Sequence, residues 1–242
     1  MSLDEEWSNF LDNNEVINIT KNESKTENND SSLIPKCSDI YISTKTKIIY
    51  LNIDSLDIYS IFWKINIEDY DKQIEGIIKK QIKISSNTKE ELEYLEKLII
   101  NETYYVTKII NHVDNPNGRI KFKDVRKISV GLCKKDLIYT RTKEKSAFYN
   151  CFVVTLRVLY KGIFKEIHVK IFNTGKLEIP GIQNDEILEI VLINMVKILE
   201  KILSIKLEIL YDKTENVLIN SNFNCGFYID REILFNLLRY KY

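Results

Sequence analysis

The side chains able to do chemistry are few and scattered along this 242-residue chain. Two histidines, His112 and His168, stand far apart, and four cysteines, Cys37, Cys133, Cys151 and Cys225, form no Cys-x-x-Cys pair. Zinc sites and secreted disulfide frameworks announce themselves by closer spacing, so reduced structural cysteines and no metal are expected. Gly175-Lys176 lacks the upstream glycine and the downstream Ser or Thr of a phosphate loop. No Ser-His-Asp or Cys-His set has a supporting motif, and Glu166 with Lys170 lacks a preceding aspartate at nuclease spacing. The expectation is a protein that is not an enzyme and needs no cofactor, with His112 beside a turn and His168 a hydrogen-bonding group in a strand.

Recognition chemistry is concentrated instead in VKIFNTGKLEIPGI, residues 169–182. Apolar and polar residues alternate up to Phe172, a Thr-Gly-Lys turn follows, and alternation resumes up to Pro180-Gly181. That pattern is a β-hairpin with two unlike faces. Val169, Ile171, Leu177 and Ile179 form a core row. Lys170, Phe172, Thr174 and Lys176 put an aromatic ring among cations and a hydroxyl on the other.

The elements that must hold this hairpin follow from patterning. Residues 40–52 read as a long strand, and SLDIYSIFWKI (55–65) as a helix with Leu56, Tyr59 and Trp63 at helical spacing. Gly76 opens the strand GIIKKQIKI. Thr88 and Glu91 form a capping box for a helix over 88–99. NPNG (115–118) is a turn joining strands TYYVTKII and RIKFKDVRKISV. Residues 148–159 form a strand, 164–181 the hairpin, and 185–203 a mostly buried helix capped by Asn184. Strand character returns in KLEILYDKTENVLINSNFNCGFYI, and DREILFNLLRYKY begins a helix. Strand, aspartate and apolar helix thus occur twice, a weak internal repeat.

With 44% hydrophobic and 29% charged residues, the composition is that of a soluble globular protein. The longest apolar stretch, 187–203, is broken by Glu189, Lys197, Glu200 and Lys201, so no membrane span is expected. No secretory signal opens the chain, which points to an intracellular location. Residues 1–35 hold eight acidic residues and two lysines, a net of −6 that leaves +6 for the remainder. This tail is expected to be disordered, with Trp7, Phe10 and Leu11 forming at most one amphipathic turn. A mildly basic body permits a nucleic-acid partner without requiring one.

The hairpin residues and the order of elements resemble the TATA-box-binding protein family, in particular the TATA-binding-protein-like factors of large DNA viruses. The resemblance covers residues 38–204, with insertions over about 86–147, and a partial second repeat from about 205 to 242. It implies an α+β fold: a curved antiparallel sheet with helices on its convex face, whose concave face binds AT-rich duplex DNA in the minor groove. It further implies transcription initiation in a host cytoplasmic factory, nucleus or virion, with transcription factors or RNA polymerase subunits as partners.

Carried over by residue, Phe172 matches a wedge between base steps and Ile74 its partner wedge. Lys80 matches a phosphate-binding arginine, and Thr174 and Lys176 match the Ser and Lys of the turn. Asn216 matches a base-reading asparagine, with Leu218 matching the valine two residues on, and His168 and Lys170 complete the implied DNA-binding set. Several positions depart from the family. Glu178 puts a carboxylate where phosphates would approach, Pro180 replaces a hydroxyl, and residues 38–50 contain no asparagine. Glu178 and Pro180 favour the alternative, a module of this fold that binds protein. Lys79, Lys80 and Lys83 also fit plain strand-edge lysines. Pairing of 214–229 with 40–52 is expected, as is self-association or a further partner through residues 214–242.

Overall fold

A computed structural model describes residues 36–138 and 148–241, so the expected acidic tail over 1–35 lies outside the described residues. Residues 38–224 form one compact unit, and the described residues 36–37 and 225–241 belong to a second.

The larger unit is α+β, built on an open, curved, eight-stranded antiparallel sheet. Its strands are β1 (Tyr41–Tyr50), β2 (Gly76–Ser86), β3 (Tyr105–Asp114), β4 (Phe122–Gly131), β5 (Cys151–Tyr160), β6 (Ile163–Phe172), β7 (Lys176–Ile182) and β8 (Glu215–Asn222). They lie in the order β3-β4-β2-β5-β6-β7-β1-β8. The 40–52 and 214–229 segments do pair, through β1 and β8. The insertion extends the sheet, because the hairpin β3–β4 lies beside β2. That makes β2 an interior strand, which corrects its reading as a lysine-bearing edge.

Three helices cover one face. They are α1 (Ile58–Lys64), α2 (Lys89–Ile100) and α4 (Asp185–Leu203). Their caps use the residues the sequence offers. Asp57 accepts from the Ser60 N–H, Thr88 from Glu91 and Asn184 from Ile187. The Glu91 carboxylate reaches back to the Asn87 N–H, one residue before the cap. Each side chain answers an N–H that a first helical turn leaves unpaired. Beneath them Ile49, Ile82, Phe152, Val154, Leu156, Val169, Ile171, Leu177 and Ile179 meet Phe62, Leu95, Leu192 and Met195 in one core. The burial of α4 is narrower than its composition suggests. Ile187, Leu188, Val191, Leu192, Met195 and Leu199 form a buried stripe, while Ile193 is exposed.

Because directly opposed residues share a face, the register fixes the membership of the opposite face. One row runs Val106–Ser129–Gln81–Val153–Lys170–Glu178–Ile48–Glu215 across all eight strands.

The short helix α3 (Lys134–Ile138) lies in the β4–β5 connection. In the second unit, α5 (Arg231–Lys241) starts at Asp230, whose carboxylate accepts the N–H groups of Glu232 and Ile233. Asp57 before α1 and Asp230 before α5 thus each accept N–H groups of a first helical turn. Ile233, Leu234, Leu237 and Leu238 of α5 are exposed. Among the described residues no helix is long and apolar enough to cross a membrane.

Candidate nucleic-acid interface

The hairpin turn is held by close backbone approach. Gly175 has φ +74°, and a Cβ there would lie 2.2 Å from the Ile53 carbonyl oxygen. Such a position admits glycine and little else. The Asn173 carbonyl accepts the Leu56 N–H at 2.8 Å, and the Gly175 carbonyl accepts the Leu51 N–H at 3.3 Å. Residues before α1 therefore fix where Phe172 and Lys176 stand. Thr174 is exposed at the turn.

Phe172 stands opposite Cys151, on the face away from the helices, and is half-buried. Beside it Lys170 forms an ion pair with Glu178 at 2.5 Å. Lys176 sits over the Tyr50 ring, 5.0 Å from its centroid, and the Tyr50 hydroxyl donates to Glu215 at 2.9 Å. Ile48 lies between Glu178 and Glu215. Farther along, Asn220 donates to the Thr44 hydroxyl at 2.8 Å. Leu218 stands opposite Thr46 and is exposed. The patch on β1, β6, β7 and β8 therefore alternates ring, aliphatic, hydroxyl and amide groups with neutralised charge pairs.

The rest of the opposite face carries chain of its own. Lys79 Nζ lies 2.6 Å from both Asp136 carboxylate oxygens, and the Lys134 N–H donates to Glu166 at 3.0 Å. Lys135 Nζ is 3.4 Å from His168 Nε2, whose Nδ1 lies 3.2 Å from the Thr155 hydroxyl. Burial alone would raise the Asp136 carboxyl. Hydrogen bonds from Cys133 and Lys79 outweigh that and hold it below the ordinary value. Burial, then the bond to Asp136, pushes the Cys133 thiol up, so it remains a donor. At the far end Arg157 donates to the carbonyls of Tyr70 and Lys72, and the Tyr70 ring covers its guanidinium.

Three of the expected contacts change place. Lys80 is fully buried on the helix face. Its ammonium donates to the Ile65 carbonyl and to Glu102, and lies 4.9 Å from the Phe62 ring centroid. Burial depresses its pKa against the opposing pull of Glu102. It is a structural cation and not a phosphate ligand. A register shift between Ile77 and Lys79 buries both Ile77 and Ile78 and sends Lys79 to the opposite face.

Ile74 precedes β2 and is exposed, but Gly76 aligns with Arg157 and Glu166. Glu166 is six residues from Phe172 along β6, about 20 Å of strand. Ile74 therefore cannot pair with Phe172 as a second wedge. The aromatic residues at the Phe172 end are exposed Phe148 and Tyr149. They immediately precede Asn150, whose carbonyl accepts the Asn173 N–H.

Asn216 stands opposite Lys47, whose ammonium reaches Asp185 at the start of α4. It is thus on the helix face. An extra residue in β8 between Leu218 and Asn216 causes the switch. Asn220 occupies the face Asn216 was expected to hold. His168 is on the expected face but under Lys135. Tyr50, Thr44, Thr46 and Asn220 were missed, although alternation with the core residue Ile49 places Thr46, Ile48 and Tyr50 together.

Comparison with protein-family models, curated proteins and solved structures returns no match. Among the described residues no group of three or more His, Cys, Asp or Glu side chains could hold a metal ion.

Proposed function

We propose that this protein binds AT-rich duplex DNA on the open part of its sheet and acts as a transcription-initiation factor. In that role it would recruit further factors or polymerase subunits, as the TATA-binding-protein-like proteins of large DNA viruses do. The observation that carries this reading is the position of Phe172. An aromatic ring stands at a strand end on the face opposite α1, α2 and α4, between Lys170 and Lys176, at a turn fixed by backbone contacts. Such a ring can enter a base step, and flanking cations meet phosphate. The strand order supports the reading too, since β1 and β8 pair as the first strands of two repeats do in the resembling family.

A minor-groove reader needs apolar and small hydrogen-bonding groups more than net charge. Thr44, Ile48, Leu218 and Asn220 supply them, while Thr46 beside them is buried. Fluorescence anisotropy with AT-rich and GC-rich duplexes tests the proposal. The AT-rich duplex binds tighter, and affinity falls about tenfold or more between about 50 and 200 mM salt. Phe172→Ala weakens AT-rich binding by about tenfold, with a stability loss under about 1 kcal/mol.

The second reading, a protein-binding module, is favoured by one feature. Glu178 neutralises Lys170 within the patch, and Pro180 supplies no hydroxyl. Equal, salt-independent or undetectable affinity for both duplexes decides for it.

A further inference from the structure

Over Lys79 and His168 the opposite face is covered by α3, whose contacts with the sheet are polar. All five α3 residues are exposed, with Leu137 at 59% and Ile138 at 56%. The helices on the other face bury core residues in every case. What ties α3 down is Asp136 on Lys79, the Lys134 N–H on Glu166, and Lys135 beside His168. Only Cys133, just ahead of the helix, is buried. Asp136 meets Lys79 with both carboxylate oxygens, the geometry a phosphate oxygen pair would offer.

We propose that α3 is an autoinhibitory cover whose Asp136 carboxylate takes the place of a nucleic-acid phosphate on Lys79. Duplex binding displaces it to reach Lys79 and His168. This rests on the DNA-binding reading above. A segment held by a few polar contacts, whose helix buries none of its own residues, opens at low free-energy cost. A ligand that needs the open form binds with an apparent affinity reduced by the fraction of molecules open.

The test uses the full chain and a fluorescein-labelled AT-rich duplex. Asp136→Asn preserves shape and removes the charge; Glu166→Ala removes the acceptor of the Lys134 N–H from the sheet side and serves as an independent variant. Two readouts are taken. Hydrogen exchange follows peptides spanning Cys133–Ile138, and anisotropy gives duplex affinity at low salt.

The expected result is faster exchange over Cys133–Ile138 in both variants, with duplex affinity tightened by about tenfold, the open-state fraction restored. Unchanged exchange shows that these anchors do not hold the cover and overturns the proposal. Faster exchange with unchanged duplex affinity also overturns it, while leaving DNA binding intact. Absence of duplex binding by the wild type and both variants removes the DNA-binding reading, and the cover's role with it.

Discussion

The two halves of the sheet's opposite face are built from equally regular alternating strands, yet one is open and the other carries its own chain. On β1, β6, β7 and β8 the connection between β6 and β7 is only Asn173–Gly175, itself too short to fold back over Phe172, Lys176 or Ile48. On β2 and β5 the flanking connections are long. They place Tyr70 on Arg157, Asp136 on Lys79, and Tyr149 on Lys83 with its ammonium 3.9 Å from the ring centroid. Strand pattern decides which face a residue joins, and connection length decides whether that residue meets solvent. Lysines of similar appearance in the sequence accordingly have different fates.

Lys80 gives the largest expected effect and separates burial from binding. Lys80→Ala leaves the Glu102 carboxylate without its partner and the Ile65 carbonyl without a donor. Removing one member of a buried pair costs about 3 kcal/mol, at the low end because Glu102 remains partly hydrated. Urea denaturation should report that loss, while the salt dependence of duplex binding stays as in the wild type. A flatter salt dependence would return Lys80 to the phosphate-contacting set.

The open half depends on its turn. Gly175→Ala adds a Cβ against the Ile53 carbonyl at positive φ, and about 2 kcal/mol of destabilisation is expected. Gly162 has a similar φ of +77° but nothing within 4 Å of its Cβ position, so Gly162→Ala should cost about 1 kcal/mol or less. The difference between the two urea midpoints isolates the close approach from the backbone strain. Equal losses would mean that the turn is not clamped by residues 51–56.

Much of the fold was legible because local signals and burial agree. Asn184, Thr88 and Asp57 cap the expected helices, and the Asn115–Gly118 turn joins two paired strands. Ile171, Leu177 and Ile179 lie in the core as their alternation requires. The site was less legible, because parity fails at a bulge. Lys80 already shares parity with Ile82 and Ile84, so alternation pointed to the helix face where the family resemblance pointed to DNA. Asn216 and Asn220 have the same parity in the sequence, and only the extra residue in β8 separates them. The cover over Lys79 had no periodic signal at all, since it is a connection of five helical residues held by polar groups.

That bulge makes a smaller and sharper prediction about the open half. Asn220→Ala removes an amide on the DNA-facing side and should weaken AT-rich binding by about fivefold, the worth of one hydrogen bond. Asn216→Ala, on the helix face, should change it by less than about twofold. The reverse order, measured by anisotropy, would show that β8 pairs with β1 one residue out of the observed register.

The smallest effect concerns the covered half and its acid sensitivity. The Asp136 carboxyl is held below its ordinary value in the folded chain by Cys133 and Lys79, with Glu166 and His168 anchoring neighbouring residues of the same cover. A group whose folded pKa is depressed contributes stability that is fully present above its unfolded value, about 4, and lost as pH falls through the folded one. The cover should therefore stay anchored from neutral pH down to about 4 and loosen only below that. An NMR titration following the Cys133 and Lys134 amides should find their shifts flat with respect to Asp136 until that acidic range. In Asp136→Asn the acidic step should vanish. An acidic step that survives the substitution would show that the Lys79–Asp136 pair does not hold the cover, and the contrast between the two halves would then rest on other contacts of the β4–β5 connection.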